Sequence, residues 1–140
     1  MKNIFKGTGP AVITPFKSSD FAIDFDALDR VLEYQLAGGV DFLVALGPTA
    51  ESVTMSHEDR HQVFHFIKAK NNTRVPLMVG FGGNNTAEVI RHIEAADFNG
   101  IDGILSVVPY YSKPSQEGIF QHFMAIAKAS PVPVILYNVP

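Results

Sequence analysis

Apolar strand-like runs alternate with amphipathic helix-like runs along the whole chain, and this limits the fold more than any other feature. Ala11-Val12-Ile13 is short and apolar and ends at Thr14-Pro15. Asp24 then caps a segment in which Leu28, Val31, Leu32 and Leu36 fall at helical spacing, and Gly38-Gly39 ends it. Phe42-Leu43-Val44-Ala45-Leu46 is apolar without alternation, as expected of a strand covered on both faces. Ser56 caps a second helix carrying Val63, Phe64 and Ile67. Leu77-Met78-Val79 leads through Gly80-Phe81-Gly82-Gly83-Asn84 to a third helix, where Asn85 and Glu88 have the spacing of a capping box. The strand Ile101–Val108 precedes a helix capped by Ser115, with Ile119, Phe120, Phe123 and Ile126 as its expected apolar face. Pro131 and Pro133 bracket the approach to a fifth strand that runs through Val134-Ile135-Leu136-Tyr137.

The order β-α-β-α-β-α-β-α-β calls for a mostly parallel sheet with right-handed crossovers. Two architectures fit: a doubly wound open sheet and a (β/α)8 barrel. An open sheet of five strands is complete at this length, whereas a barrel takes about 250 residues. No G-x-G-x-x-G follows the first strand and no Walker A motif occurs, so the phosphate signatures of doubly wound folds are missing. Pattern alone leans modestly toward the barrel. No linker, low-complexity segment or second domain stands out.

Charge and composition exclude several function classes. The formal net charge of −3 supplies no basic face for nucleic acid or an anionic membrane. There is no cysteine, hence no disulfide, thiolate nucleophile or cysteine metal site. Met1–Lys6 lacks the apolar run of a secretion signal, and no stretch approaches the roughly 20 apolar residues of a membrane helix. The expectation is a soluble cytoplasmic protein.

Four motifs carry candidate chemistry. His57-Glu58-Asp59-Arg60-His61 matches H-E-x-x-H, the pattern in which two histidines hold zinc and a glutamate acts as base. It falls in the polar first turn of a helix, so the expectation is a solvated turn and no metal. The loop Gly80–Asn84 has the glycines of an anion cradle but no lysine or arginine, which favours a tight turn needing positive φ. Gly47-Pro48-Thr49-Ala50-Glu51-Ser52 follows the second strand, where hydroxyls and free N–H groups grip a carboxylate or merely form a polar turn. Pro109-Tyr110-Tyr111-Ser112-Lys113-Pro114-Ser115 follows the fourth strand, and its tyrosine pair suits packing, an interface or a proton relay. Tyr137 directly follows three apolar strand residues, and a phenol turned inward there needs a partner.

Taken together these segments resemble the dihydrodipicolinate synthase family of pyruvate-dependent, Schiff-base class I aldolases, which also includes N-acetylneuraminate lyase. The resemblance runs from Gly9-Pro10-Ala11-Val12-Ile13-Thr14-Pro15-Phe16 to Tyr137-Asn138-Val139-Pro140. Its most specific pieces are Pro109-Tyr110-Tyr111-Ser112-Lys113-Pro114-Ser115-Gln116-Glu117-Gly118 and the closing Tyr-Asn-Val-Pro. The double tyrosine and Gln-Glu-Gly are closer to the synthase than to the sialic acid lyase. The resemblance implies a (β/α)8 TIM barrel, with residues 1–140 as the N-terminal part of a single barrel domain, truncated after the fifth strand.

It also implies a mechanism without cofactor or metal. A lysine on the sixth strand forms an imine with pyruvate, and loss of a methyl proton gives an enamine. The enamine attacks the aldehyde of aspartate semialdehyde on the route to diaminopimelate and lysine. By resemblance Tyr137 shuttles protons, Tyr111 completes the relay across a subunit interface, and Thr49 with Gly47 binds the pyruvate carboxylate. Ser52, His57, Asn84, Glu88 and Tyr110 match the family's lysine-effector positions. A relay across an interface implies a homo-oligomer, dimer or tetramer.

Two departures stand out. The family reads Gly-Thr-Thr-Gly-Glu or Gly-Ser-Thr-Gly-Glu where this chain reads Gly47-Pro48-Thr49-Ala50-Glu51. Pro48 supplies neither the relay hydroxyl nor a backbone N–H, an expected loss of about 10²-fold in rate. Ala50 is expected to strain a turn that needs positive φ. The Schiff-base lysine, moreover, lies beyond Pro140. None of Lys2, Lys6, Lys17, Lys68, Lys70, Lys113 or Lys128 sits in an apolar strand. Part of a barrel taken alone leaves sheet edges and apolar helix faces open. Alternatives are another pyruvate aldolase, of N-acetylneuraminate lyase or keto-acid type, and a non-catalytic relative.

Overall fold

The computed structural model describes residues 4–139, in two compact units that divide between Met78 and Val79. The elements follow in the order α1 (Phe25–Ala37), β1 (Leu43–Ala45), a 3-10 turn (Pro48–Ala50), α2 (His57–Asn71), β2 (Leu77–Gly80), α3 (Thr86–Ala95), β3 (Gly103–Val107), α4 (Gln116–Ala129) and β4 (Val134–Tyr137). The expected alternation is present, with one contraction. Ala11–Ile13 makes only a parallel bridge, Ala11 with Val44, instead of a strand. Val12 N–H donates to Val44 O at 2.9 Å and Val44 N–H to Pro10 O at 3.1 Å. Pro10 carries no N–H, so the ladder lacks its next donor on the N-terminal side of that contact.

In the first unit, Asp24 caps α1 by accepting from the Ala27 N–H at 2.8 Å. Leu28 and Leu32 are buried, while Val31 and Leu36 are only partly covered. Gly38 closes the helix in a right-handed conformation, and the left-handed residue that turns the chain is Gly39 (φ 78°). Helix α2 begins at a full capping box: Ser56 Oγ accepts from Asp59 N–H at 3.0 Å, and Asp59 accepts from Ser56 N–H at 3.2 Å. It buries Val63 and Ile67. Phe25 of α1 meets Phe66 of α2 with ring centroids 5.1 Å apart. Arg74, past the end of α2, forks onto Glu33 of α1 with contacts of 2.7 and 3.2 Å, and hydrogen bonding to that guanidinium holds the Glu33 carboxyl below its ordinary range. Both partners are largely exposed, so the fork orients the helices more than it stabilises them. Strand β1 is buried throughout, and Leu43 N–H donates to Pro76 O at 3.0 Å, at the start of β2.

In the second unit, Phe81 N–H, just past β2, donates to Leu105 O of β3 at 2.9 Å. Strands β3 and β4 are parallel, with Ile104 opposite Val134 and Val107 opposite Tyr137. Strand neighbours in space are thus neighbours in sequence, as successive βα units require. Asn85 caps α3 by accepting from Ala87 and Glu88 N–H groups at 3.1 and 3.3 Å. The expected capping box is half realised, because Glu88 instead reaches Arg91 at 3.2 Å. Val89 and Ile93 are buried. The face of α4 follows expectation at Ile126, which is buried, but departs from it at two positions: His122 is also buried, and Phe120 is 55% exposed. A histidine one turn from Ile126 takes the inner position because Thr86 at the start of α3 offers it a partner, Oγ1 to Nδ1 2.8 Å. Strand β4 is half-covered to exposed along its length, with Leu136 58% and Tyr137 39% exposed.

Candidate active site

The chemistry-bearing segments sit after the C-terminal ends of strands, and each unit carries its own set. In the first unit the chain leaves β1 through Leu46 in the left-handed region (φ 53°). Gly47, buried and extended, then precedes the 3-10 turn Pro48–Ala50. Pro48 occupies the first helical position, where a missing N–H costs nothing and a fixed φ helps. Ala50 N–H closes on Gly47 O and Glu51 N–H on Pro48 O, both at 3.0 Å. The strain expected at Ala50 is absent: it lies buried inside the turn, and the left-handed residues are Leu46 and Glu51 (φ 57°). Ser52 Oγ donates to Gly47 O at 3.4 Å, tying the turn across its base. Thr49 points its hydroxyl-bearing side chain from an exposed position on the same turn, and His57 is exposed in the first turn of α2.

The H-E-x-x-H reading meets a different pairing. His61 Nε2 lies 3.0 Å from Nε2 of His65, one turn further along α2. Among the described residues no group of three or more His, Cys, Asp or Glu side chains is arranged to hold a metal ion. His65 was outside the motif, and its signal was the plain i, i+4 spacing from His61.

In the second unit the glycine loop behaves differently from expectation. None of Gly80, Gly82 and Gly83 has positive φ. Gly82 is required by close approach instead: a Cβ there would sit 2.7 Å from Val107 Cγ1 and 3.1 Å from Val107 N. The loop therefore rides against the end of β3. Asn84 Oδ1 accepts from the Tyr110 N–H at 2.8 Å and so ties this loop to the tyrosine loop after β3. Of the five residues expected by resemblance at effector positions, Asn84 and Tyr110 are in direct contact, and Glu88, in the first turn of α3, pairs with Arg91.

The tyrosine loop is held in an unusual backbone conformation. Tyr111 has φ 71° and Lys113 φ 45°, a region that costs a β-substituted residue on the order of 1 kcal/mol each. Ser112 N–H donates to Tyr110 O at 2.9 Å, tightening the turn. The outcome is a Tyr111 side chain that is 96% exposed. Tyr137 ends β4 opposite Val107 and is 39% exposed, and its carbonyl accepts from Val108 N–H at 3.0 Å. Val108 is the residue from which the Pro109–Ser115 loop departs, so Tyr137 and the tyrosine loop rise from paired strand ends.

Beneath this rim lies a buried polar group that the sequence pattern did not single out. His122 is 3% exposed and bonded through Nδ1 to Thr86. Burial holds its imidazole below the ordinary histidine range, with the backbone at Val107 opposing in part.

Comparison with known proteins bears on the family and the fold. Residues 4–140 match the family model of the dihydrodipicolinate synthetase family. The chain is 54% identical over 136 residues to 4-hydroxy-tetrahydrodipicolinate synthase of Cytophaga hutchinsonii, covering 97% of this chain and 46% of the relative. It is similar to the solved dihydrodipicolinate synthase of Thermotoga maritima, with TM-score 0.91 and 36% identity over 98% of this chain and 46% of that one. A further neighbour is the chloride-inhibited dihydrodipicolinate synthase of Acinetobacter baumannii complexed with pyruvate, with TM-score 0.90 and 41% identity over 96% of this chain and 46% of that one. The chain thus spans about half the length of the curated relatives it matches. Its fold class is that of the (β/α)8 barrel, represented by successive parallel βα units. Alternating elements, strand-end tyrosines and a family match over residues 4–140 together establish that this chain belongs to the dihydrodipicolinate synthetase family.

Proposed function

We propose that residues 1–140 are the N-terminal part of a single-barrel lyase that condenses pyruvate with aspartate semialdehyde in lysine and diaminopimelate biosynthesis. The observation that carries this reading is the origin of Tyr137 and the Tyr110-Tyr111 loop from adjacent, paired strand ends. In the reaction a lysine outside this chain forms the imine with pyruvate. Tyr137 moves protons to and from the imine, and Tyr111 extends the relay from a neighbouring subunit. A side chain 96% exposed and held outward by a strained backbone supports that second role. Thr49 and Gly47 hold the pyruvate carboxylate, one by its hydroxyl and the other by its backbone N–H. No cofactor or metal enters this chemistry. The protein works in the cytoplasm as a homodimer or homotetramer. Among the described residues no helix is long and apolar enough to cross a membrane.

Ser52, His57, Asn84, Glu88 and Tyr110 form the proposed lysine-effector positions, supported by the 2.8 Å bond between Asn84 and Tyr110. Titrating lysine against the activity of the full-length enzyme checks this, and unchanged activity discards it. A second reading, a pyruvate aldolase with another aldehyde partner, is favoured by one feature: Pro48 stands where a relay hydroxyl is expected. Borohydride reduction of the full-length protein in the presence of pyruvate tests the shared step. Both readings expect one covalent pyruvyl adduct per subunit, and its absence would overturn both. Turnover with aspartate semialdehyde as against other aldehydes then separates them.

A further inference from the structure

The exposed histidine pair on α2 belongs to no part of the proposed reaction, and its geometry is that of a chelate. His61 and His65 are both exposed, one helical turn apart, with Nε2 atoms 3.0 Å apart and ring centroids separated by 4.2 Å. A metal ion bound to two imidazoles at about 2.0–2.1 Å each, with the nitrogens at this separation, subtends an N–metal–N angle of about 90–97°. A tetrahedral ion needs about 109° and a wider nitrogen separation, so the pair suits a square-planar or tetragonal ion better than zinc. We propose that His61 and His65 form a bidentate surface site for a divalent copper or nickel ion, with copper the tighter of the two.

The local chain is built to hold this arrangement. The capping box at Ser56 anchors the helix start, and Val63 and Ile67 bury the opposite face, so the two Cβ atoms keep their one-turn spacing. Gln62 is engaged with Glu58 at 3.0 Å and does not compete for the rings. Phe64 packs edge-on to the His65 ring at a centroid distance of 5.2 Å, which restricts its rotation. Without metal, one Nε2–H donates to the other Nε2. On binding, that proton leaves for solvent while the same ring takes one at Nδ1, so both Nε2 lone pairs face the ion with no net proton change. Solvent fills the remaining positions, because no third His, Cys, Asp or Glu among the described residues is arranged to join.

The test is a copper titration of the tag-free protein, read by electron paramagnetic resonance and by competition with a chromophoric chelator. One ion per chain with two-nitrogen equatorial coupling is expected. His61→Gln and His65→Gln should each weaken binding by about tenfold or more, and His57→Gln should leave it unchanged. These positions are exposed, and far-UV circular dichroism shows whether helicity is preserved. Equal copper binding by wild type and the His61→Gln/His65→Gln double variant would overturn the proposal. Loss with His57→Gln but not His65→Gln would overturn it too, in favour of the H-E-x-x-H pair.

Discussion

At the scale of the residue, backbone conformation decides what each candidate position does. Gly82 looks from sequence like a turn glycine, yet its role is to let the loop touch Val107. Gly82→Ala is expected to destabilise the protein by about 1–3 kcal/mol through overpacking, measured as a lowered urea midpoint with unchanged slope. A Gly83→Ala control meets only one contact, at 3.3 Å, and should cost less. Pro48 is the opposite case, a residue that fits its turn while withholding a hydroxyl. In the full-length enzyme Pro48→Thr is expected to raise kcat by between ten- and about 10²-fold with little change in KM for pyruvate, as steady-state kinetics will show. The same change should lower stability by about 0.4–1 kcal/mol, because the unfolded chain regains freedom. An unchanged kcat would mean that the relay runs without that hydroxyl.

Elements in this chain are set largely by their ends. Asp24, Ser56, Asn85 and Ser115 all accept from N–H groups of the helices they precede, and all four were readable as caps. The most complete is the Ser56–Asp59 box, which also contains a 2.7 Å bond between the serine hydroxyl and the aspartate. Ser56→Ala should therefore cost about 1 kcal/mol in chemical denaturation, and Ser56→Gly only about a few tenths of a kcal/mol. The interior faces were less legible. On α4 the apolar residues suggested a stripe through Phe120, Phe123 and Ile126; Ile126 does lie inward, but so does His122, while Phe120 is exposed. Counting apolar residues cannot reveal that a histidine has found a buried partner on a different helix.

For the molecule as a whole, that buried histidine predicts how stability depends on pH. The folded state disfavours the charged imidazole of His122, so the unfolded chain binds more protons once pH drops below about 6.5. Stability should hold above that pH, fall as pH descends from it, and level off below the depressed folded value. The slope from this one group is at most about 1.4 kcal/mol per pH unit. Urea denaturation at a series of pH values measures it, and His122→Gln should flatten that portion of the curve. Sequence by itself determined the βα alternation, the helix caps and the family motifs, because these depend on local periodicity and on neighbours a few residues apart. It also placed Tyr110, Tyr111 and Tyr137 at strand ends. Only the tertiary structure decided that Ala11–Ile13 contracts to a bridge, that Gly82 serves close packing, that Tyr111 is thrust outward and that His122 is buried against Thr86. Each of those depends on which atoms from distant segments arrive at the same place, and that is a property of packing which no local pattern encodes.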